Sequence, residues 1–391
     1  MRKALLKIIL AAGILAAGTL ILEFAAGRLF PAPDNFYIWP PNLHRTFTPD
    51  QEIMPGTSPR VRFQTNSFGL RSYNPAPNDD YRILVLGGSA AECLYLDQRR
   101  TWPRLIIDHL ERIRPRFRTW VGNGGRSGQT SRDHIFHFEY LPLRNLDIDA
   151  AVILIGANDL QLRLQRGEAY DPGYLGQPGA RLAQIDRAFL SVPYPFIRPP
   201  LPFYKRTGLW RAARRAARRF IGERPQDDRG EVIALWREYR RRSPHRVDLL
   251  PDMEPALREY LDNLRTMVDL ASRRGIRLIF VTQPAIWRAD MPPEEEDLLW
   301  GGGVGNYKNQ PGQPYYTPRA LAEGLEVYNR ILIAAARQWG IEYFDLAADF
   351  PRTTDYFYDD LHFTLKGSEL VAEKIGNYLS SRPPYNRPPP R

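Results

Sequence analysis

The chain has 391 residues, which is long enough for one or two domains with a large core. Apolar residues make up 43% of it and charged residues 25%, a composition that excludes an intrinsically disordered protein. Cys93 is the single cysteine, so an intramolecular disulfide and a cysteine-based metal site are both excluded. We interpret Cys93 as a small packed side chain, because no base stands at a recognisable spacing from it.

Residues 1–27 have the pattern of a signal anchor, a single N-terminal membrane span. An uncharged, apolar run occupies positions 8–22, and Glu23 interrupts the small-residue region that signal cleavage needs. A cleaved signal peptide with a site near residues 25–27 is the alternative, and a buried core helix is a weaker one. The basic residues that precede the run are Arg2, Lys3 and Lys7. Because basic residues stay in the cytoplasm, we expect the rest of the chain to be extracytoplasmic, in the periplasm.

Residues 28–80 are predicted to be a Pro-rich linker that wraps onto the following domain, with one short strand in the alternating run 61–66. Residues 381–391 are predicted to be a Pro-rich tail.

From residue 81 the chain alternates between strand and helix patterns. The predicted strands are 81–86, 118–121, 150–155, 276–282 and 341–346. The predicted helices are 102–113, 131–140, 255–274, 318–339 and 366–379. The run 150–155 is apolar throughout, as expected of a strand covered on both faces. The alternation therefore predicts an α/β fold with a parallel sheet between helical layers.

An insertion over about residues 161–253 separates the third and fourth strands, and it is far longer than a usual connection of roughly ten to twenty residues. We expect it to form a lid or a partner surface. Its segment 205–219 has a basic, amphipathic helical pattern, with the arginines Arg211, Arg214, Arg215, Arg218 and Arg219. Two interpretations stay open for this helix: a solvated face, or contact with anionic lipid or acidic polysaccharide. A translocated chain makes nucleic acid a poor partner.

Three polar segments follow the first three predicted strands. Ser89 follows the strand 81–86 and the turn Gly87-Gly88, the second segment is 123–128 (Asn-Gly-Gly-Arg-Ser-Gly), and Asn158 follows Gly156-Ala157. The carboxyl ends of parallel strands meet at one edge of a sheet, where ligands bind. A serine, glycine N–H groups and an asparagine amide at one edge could supply a nucleophile and oxyanion donors. Each segment alone would fit a helix cap or a turn equally well.

Asp359 and His362 precede the last predicted helix and are three residues apart, so they share one face. A carboxylate in this position can accept the imidazole Nδ1–H and leave Nε2 to take a proton from serine. Asp360 is out of phase, and we expect it to be a surface or capping residue. The remaining histidines form no ligand pattern, so neither a metal nor a cofactor is predicted.

Together the four segments resemble the four blocks of the SGNH, or GDSL-type, hydrolases, and the resemblance spans roughly residues 82–378 of the chain. It implies a flavodoxin-like three-layer α/β/α sandwich with a five-stranded parallel sheet over residues 81–380, and no metal. It further implies Ser89 as the nucleophile, Asp359 and His362 as the other catalytic residues, and an oxyanion hole made by Ser89, Gly128 and Asn158.

Two positions depart from the family pattern. Gly88 stands where the family usually has aspartate, a form that also occurs among membrane-anchored bacterial members, and Cys93 stands where it often has glycine. Glu92 is expected to narrow or charge the pocket mouth. The predicted function is a serine esterase acting through an acyl-enzyme, with an O-acyl group on a cell-envelope glycan as a possible substrate. An O-acyltransferase that modifies an exported polysaccharide, and a non-catalytic glycan-binding or scaffold protein, are the alternatives.

Overall fold

The structure, a computed structural model, describes residues 2–30, 32, 35–141, 146–193, 202–221 and 229–386. The chain divides into two compact units. One comprises Met1–Phe36 and Ser191–Gln226, and the other comprises Tyr37–Leu190 and Asp227–Arg391. The predicted Pro-rich tail lies outside the described residues from position 387 onward.

The strands and helices follow the predicted alternation. The strands are β1 (His44–Phe47), β2 (Val61–Gln64), β3 (Tyr81–Gly87), β4 (Thr119–Asn123), β5 (Ala150–Ile155), β6 (Arg246–Val247), β7 (Arg277–Thr282), β8 (Tyr315–Tyr316) and β9 (Glu342–Phe344). The helices are α1 (Arg2–Leu29), α2 (Ser89–Glu92), α3 (Trp102–Ile113), α4 (Ser131–Tyr140), α5 (Ala157–Arg166), α6 (Ala180–Ala188), α7 (Gly208–Ile221), α8 (Glu231–Arg241), α9 (Glu254–Arg273), α10 (Pro293–Glu296), α11 (Pro318–Trp339) and α12 (Leu365–Ser380).

The central sheet has five parallel strands in the order β4-β3-β5-β7-β9. This is the doubly wound order of flavodoxin-like folds, so the predicted fold class is confirmed. Every residue of β5 is buried, as its unbroken apolar run predicted. Two predicted strands have different ends: β4 extends to Asn123, and β9 is shorter than 341–346.

Residues 37–80 belong to the same unit as the sheet. β1 and β2 pair as an antiparallel hairpin, and Arg71 forms an isolated bridge with Asn123 at the end of β4. The Arg71 guanidinium is buried and donates to the carbonyls of Glu92, Cys93 and Leu96. This one side chain therefore donates to three carbonyl groups at the end of the short helix α2 and in the following turn.

The predicted insertion is divided between the two units, because residues 191–226 belong with the N-terminal helix and the rest with the sheet. Two arginines of α8 are buried and reach loops of the sheet unit. Arg237 donates to the carbonyls of Leu298 and Tyr358, and Arg240 donates to those of Gly301 and Tyr316. Part of the insertion is thus integral to the core of this unit.

In the other unit, α7 packs against α1. The Glu23 carboxylate accepts the N–H groups of Gly208 and Leu209 at the first turn of α7, and Arg211 donates to the carbonyl of Phe30. A carboxylate at a helix N-terminus is favourable because it meets unpaired N–H groups and the positive end of the dipole. Among the described residues, α1 is the helix long and apolar enough to cross a membrane, a property that signal sequences share.

The Arg71 contacts lead to a prediction on stability. Arg71→Met should lower the free energy of unfolding by roughly 3 kcal/mol, because buried carbonyl groups lose their donor. Denaturant unfolding of the purified protein measures this change. Arg99→Met, at an exposed position of the neighbouring turn, is the control and should stay within about 0.5 kcal/mol of the parent. Equal stability of the two variants would contradict this account of Arg71.

Candidate active site

Ser89 lies at the carboxyl end of β3, where the strand turns into a helix. Gly88 is the N-cap of α2 and Ser89 is its first residue, so the serine hydroxyl does not occupy the capping position. The serine is half-buried and lines a cavity of about 460 Å³. A Cβ at Gly88 would lie 2.1 Å from Nδ2 of Asn158. Glycine at position 88 therefore lets the asparagine amide come close to the turn that carries Ser89.

Gly128 and Asn158 line the same cavity as Ser89. Gly128 has a φ of +76° and adopts a left-handed conformation that glycine tolerates best. The Asn158 amide donates to the carbonyl of Gln129 at 2.7 Å, which fixes its orientation beside the glycine loop and leaves its second hydrogen available. The segments after β3, β4 and β5 thus meet at one edge of the sheet, as their positions predicted.

Glu92 does not reach the cavity, so the expectation that it shapes the pocket mouth is wrong. Its side chain is buried, and its carboxylate accepts both the backbone N–H and the hydroxyl of Ser127, the residue before Gly128. Burial raises the pKa of Glu92, although Ser127 and Arg71 partly oppose this. The residue acts as a brace that fixes the glycine loop against α2.

Cys93 is buried and has a φ of +54° at the C-cap of α2. A left-handed C-cap explains why glycine is common at this position in the family pattern, and Cys93 adopts the same conformation. Burial raises the pKa of its thiol to about 12, which fits a packed side chain rather than a nucleophile.

Asp359 and His362 are in direct contact before α12. Imidazole Nδ1 lies 2.7 Å from Oδ1 and 2.8 Å from Oδ2 of Asp359. Asp359 also accepts the indole N–H of Trp300 at 2.9 Å and the backbone N–H of His362 at 3.0 Å. The imidazole lies nearly parallel to the rings of Trp300 and Tyr358, with interplanar angles of 12° and 13°. The ring is therefore held both at Nδ1 and by its planar neighbours.

The electrostatics of this pair favour an ionised carboxylate. Burial alone would raise the pKa of Asp359, but His362 and the indole N–H outweigh it and hold that pKa below 3.8. Burial alone would lower the pKa of His362, but the Asp359 carboxylate outweighs it and raises that pKa above 6.5. Nε2 is the ring nitrogen left to exchange a proton with a group in the cavity.

Asp360 is buried, so the expectation of a surface or capping residue is wrong. Its carboxylate accepts the indole N–H of Trp287 and the backbone N–H groups of Trp300 and Gly301, at 2.8–3.0 Å. Burial, together with the neighbouring Asp359 charge, raises the pKa of Asp360. The residue anchors the loop after β7 to the segment that carries His362.

Asp159 braces the other side of the site. It accepts the N–H and hydroxyl of Ser131 at the start of α4, which follows the glycine loop. Burial raises the pKa of Asp159 to about 7. Trp300 and Tyr307, both in the long loop after β7, line the cavity as well.

Among the lining residues that sequence reasoning missed are Arg187, Trp236 and Lys308. The first two lie in the predicted insertion, where no motif marks them. Lys308 directly follows Tyr307 in the long loop after β7, and this position is the one sequence feature that could have indicated a site residue. In the described ranges, no group of three or more His, Cys, Asp and Glu side chains could hold a metal ion.

The contact between Asp359 and His362 yields a prediction that does not depend on any activity. The pKa of His362 is raised in the parent protein, and in Asp359→Asn it should be lower than in the parent, because the largest effect that opposes burial is removed. NMR titration of the imidazole carbon-bound protons measures both values. An unchanged His362 titration would show that Asp359 does not set its charge.

Comparison with known proteins agrees with this geometry. The profile of the GDSL-like lipase/acylhydrolase family matches residues 85–370, which include all four segments of the site. No curated protein matches the sequence significantly. Among solved structures, a catalytic mutant of an acetylxylan esterase from Geobacillus stearothermophilus is similar, with 14% identity, 75% of this chain and 90% of that chain covered, and a TM-score of 0.39.

An α/β hydrolase from the metagenome of Lake Arreo is also similar, with 14% identity, 77% of this chain and 94% of that chain covered, and a TM-score of 0.39. Both likenesses are too distant to indicate a substrate or a mechanism. The family profile, however, covers most of the chain and includes the central sheet and the segments of the site. The chain therefore belongs to the GDSL-like lipase/acylhydrolase family of ester-hydrolysing enzymes.

Proposed function

We propose that the protein is a serine esterase that works through an acyl-enzyme on Ser89. The observation that carries the proposal is the contact of His362 Nδ1 with Asp359 at 2.7–2.8 Å, in a cavity that Ser89 also lines. Asp359 accepts the Nδ1–H and so fixes the neutral imidazole in the tautomer whose Nε2 can accept a proton. In this scheme, Ser89 Oγ attacks the ester carbonyl while Nε2 takes its proton and then returns it to the leaving alcohol. Water repeats these steps and releases the acid.

The negative charge that develops on the carbonyl oxygen needs fixed donors. The proposed donors are the N–H groups of Ser89 and Gly128 and the amide of Asn158. Two contacts support this assignment: Asn158 donates one hydrogen to the carbonyl of Gln129, and Glu92 accepts the N–H of Ser127, the residue before Gly128. In addition, all three proposed donor residues line one cavity. Donors that are held in place before the reaction need no reorganisation during it.

A glycan is the substrate class that we favour, with an O-acyl group as the scissile ester. The cavity of about 460 Å³ suits a small molecule or a sugar unit, and Trp236 and Trp300 supply ring faces at its wall. Transfer of the acyl group to a sugar hydroxyl would use the same catalytic residues. Trp236, Val232 and Ile233 of the insertion also line the cavity and could limit the access of water.

Product analysis separates the two reactions. The purified enzyme is incubated with an activated acyl ester, with and without envelope glycans, and both free acid and glycan-bound acyl groups are measured. Steady acid release that glycans do not alter supports the esterase. Slow acid release that glycans accelerate, with acyl groups appearing on the glycan, would instead identify a transferase.

We further propose that α1 stays attached as a membrane anchor and that the sheet unit lies in the periplasm. The Glu23 carboxylate holds the first turn of α7, and Arg211 holds the carbonyl of Phe30. Signal cleavage near residues 25–27 would remove the Glu23 contact and leave the N-terminus of α7 without its carboxylate. The exposed Arg214 is then the arginine of this helix that we propose for contact with an anionic surface, whereas the side chains of Arg215, Arg218 and Arg219 lie outside the described residues.

The first functional prediction concerns the nucleophile and the oxyanion donor. Ser89→Ala should abolish turnover of a short activated ester, and Asn158→Ala should lower kcat by roughly 10²–10³-fold. A fluorophosphonate probe should label the parent and Asn158→Ala, but not Ser89→Ala. Circular dichroism checks that both variants are folded. Normal rates in both would place the active site elsewhere.

The second concerns pH. His362 must be neutral to accept the serine proton, and Asp359 raises its pKa above 6.5. The rate kcat/KM should therefore rise with pH through a value above 6.5 and then level off. His362→Gln should be inactive at every pH. A rate that is constant across this range, or an active His362→Gln variant, would exclude His362 as the base.

The third concerns topology. Basic residues before the apolar run should keep the N-terminus in the cytoplasm and the sheet unit outside. Protease added to intact spheroplasts that express the full chain should digest the sheet unit, while a cytoplasmic marker protein stays intact. Mass spectrometry of the full chain should also find residues 1–27 still attached. Protection of the sheet unit until lysis would refute the orientation, and a mature N-terminus near residue 27 would refute the anchor.

A further inference from the structure

The wall of the active-site cavity carries an excess of positive charge. Of the described residues that line it, three are cationic, Arg166, Arg187 and Lys308, and the carboxylate is Asp360. Asp360 offsets them only in part, because it is one carboxylate against three cations. A ligand that enters this cavity therefore meets a positive field.

Lys308 is the most distinctive of these groups. Its ammonium lies over the rings of Trp236 and Trp300, 4.7 Å and 4.9 Å from their centroids, and within the described ranges it forms no ion pair, although the Asp360 charge acts on it. The indole N–H of Trp236 also donates to the Lys308 carbonyl at 2.9 Å and fixes its backbone. Burial, reinforced by Arg187, lowers the pKa of Lys308 to about 8. An aromatic platform holds this cation in place without neutralising it.

Arg187 links the positive wall to the proposed oxyanion loop. Its guanidinium donates to the carbonyl of Gly128 at 2.7 Å, and its nearest carboxylate, on Asp133, is 3.8 Å away. The side chain is 46% exposed and keeps further donors for a ligand. An anion bound by Arg187 would therefore lie next to the position proposed for the ester carbonyl.

We propose that the physiological substrate is an O-acylated acidic saccharide, whose carboxylate binds between Lys308 and Arg187 while its ester faces Ser89. This inference rests on the proposed esterase function and names its substrate class. Cationic donors bind carboxylates through charge-assisted hydrogen bonds. A cavity of about 460 Å³ holds a molecule of roughly drug size and is too small to enclose a long-chain lipid.

The test uses two esters that differ in one group. Acetylated methyl glucuronoside carries a carboxylate where acetylated methyl glucoside carries a hydroxymethyl group, and both have the same ring acetates. The parent enzyme should have a kcat/KM at least roughly tenfold higher for the acidic ester. This preference should decrease as salt is added, because salt screens the charges.

Lys308→Met should lower the ratio of the two kcat/KM values by roughly 10- to 100-fold, mainly through KM for the acidic ester. Arg187→Gln, at a half-exposed position that tolerates substitution, should change the ratio in the same direction. Lys374→Met on α12, outside the cavity, is the matched control and should leave the ratio unchanged. Circular dichroism confirms that each variant is folded.

The possible results distinguish failure of the acidic-saccharide assignment from failure of the proposed esterase function. Equal hydrolysis of the two esters by the parent, with a ratio that Lys308→Met and Arg187→Gln do not change, overturns the acidic-saccharide assignment and leaves the esterase intact. Faster hydrolysis of lysophosphatidylglycerol than of the acidic sugar also overturns it, in favour of an anionic lipid. Failure to hydrolyse any ester, including p-nitrophenyl acetate, contradicts the esterase function and this inference together.

Discussion

Two adjacent carboxylates, Asp359 and Asp360, are fully buried in the structure, and much of the site is arranged to make this burial possible. A buried charge is costly unless it is paired and hydrogen-bonded. Asp359 accepts hydrogen bonds from His362 and from the indole N–H of Trp300. Asp360 accepts them from the indole N–H of Trp287 and from two backbone N–H groups. Satisfying these two side chains draws the loop after β7 onto the segment before α12. The same contacts orient the imidazole.

The segment before the sheet and the insertion are held in place by buried polar groups that must likewise be hydrogen-bonded. Arg71, upstream of the first strand of the sheet, satisfies carbonyls around α2, and Arg237 and Arg240 of the insertion satisfy carbonyls of the loops beside Asp359 and Asp360. Each is a buried guanidinium that donates mainly to main-chain oxygens. Because a guanidinium has several donors in a fixed geometry, one side chain can join two or three loops. The insertion and the upstream segment therefore contribute to the shape of the cavity as well as covering it.

The proposed chemistry and the proposed substrate use different parts of the cavity. The nucleophile, its base and the oxyanion donors lie on segments that follow or precede the central strands and helices, where the fold itself fixes their positions. The positive and aromatic wall comes from α5, α6, α8 and the long loop that holds Lys308. Loops and insertions can change while the sheet is kept, so substrate preference is expected to depend on this second part.

The sequence alone determined the sheet and the position of the site along the chain. The unbroken apolar run of β5 and the spacing of helices such as α3, α4 and α11 are local properties, so their bounds were predictable almost to the residue. Segments that follow parallel strands converge on one edge by geometry, which is why Ser89, Gly128 and Asn158 could be grouped without coordinates. Asp359 and His362 are three residues apart, so their contact is also local.

Only the tertiary structure decided the contacts between residues that are distant in sequence. Glu92 faces Ser127 rather than the cavity, and Asp360 is buried beneath Trp287, because packing between loops determines which polar groups are enclosed. Trp236 and Lys308 come from segments about 70 residues apart and meet only when the insertion folds against the loop after β7. No periodicity or motif in the sequence predicts a contact between these two residues. The proposed nucleophile and its partners can thus be identified from the sequence, whereas the charged wall proposed to select the substrate forms only when the chain folds.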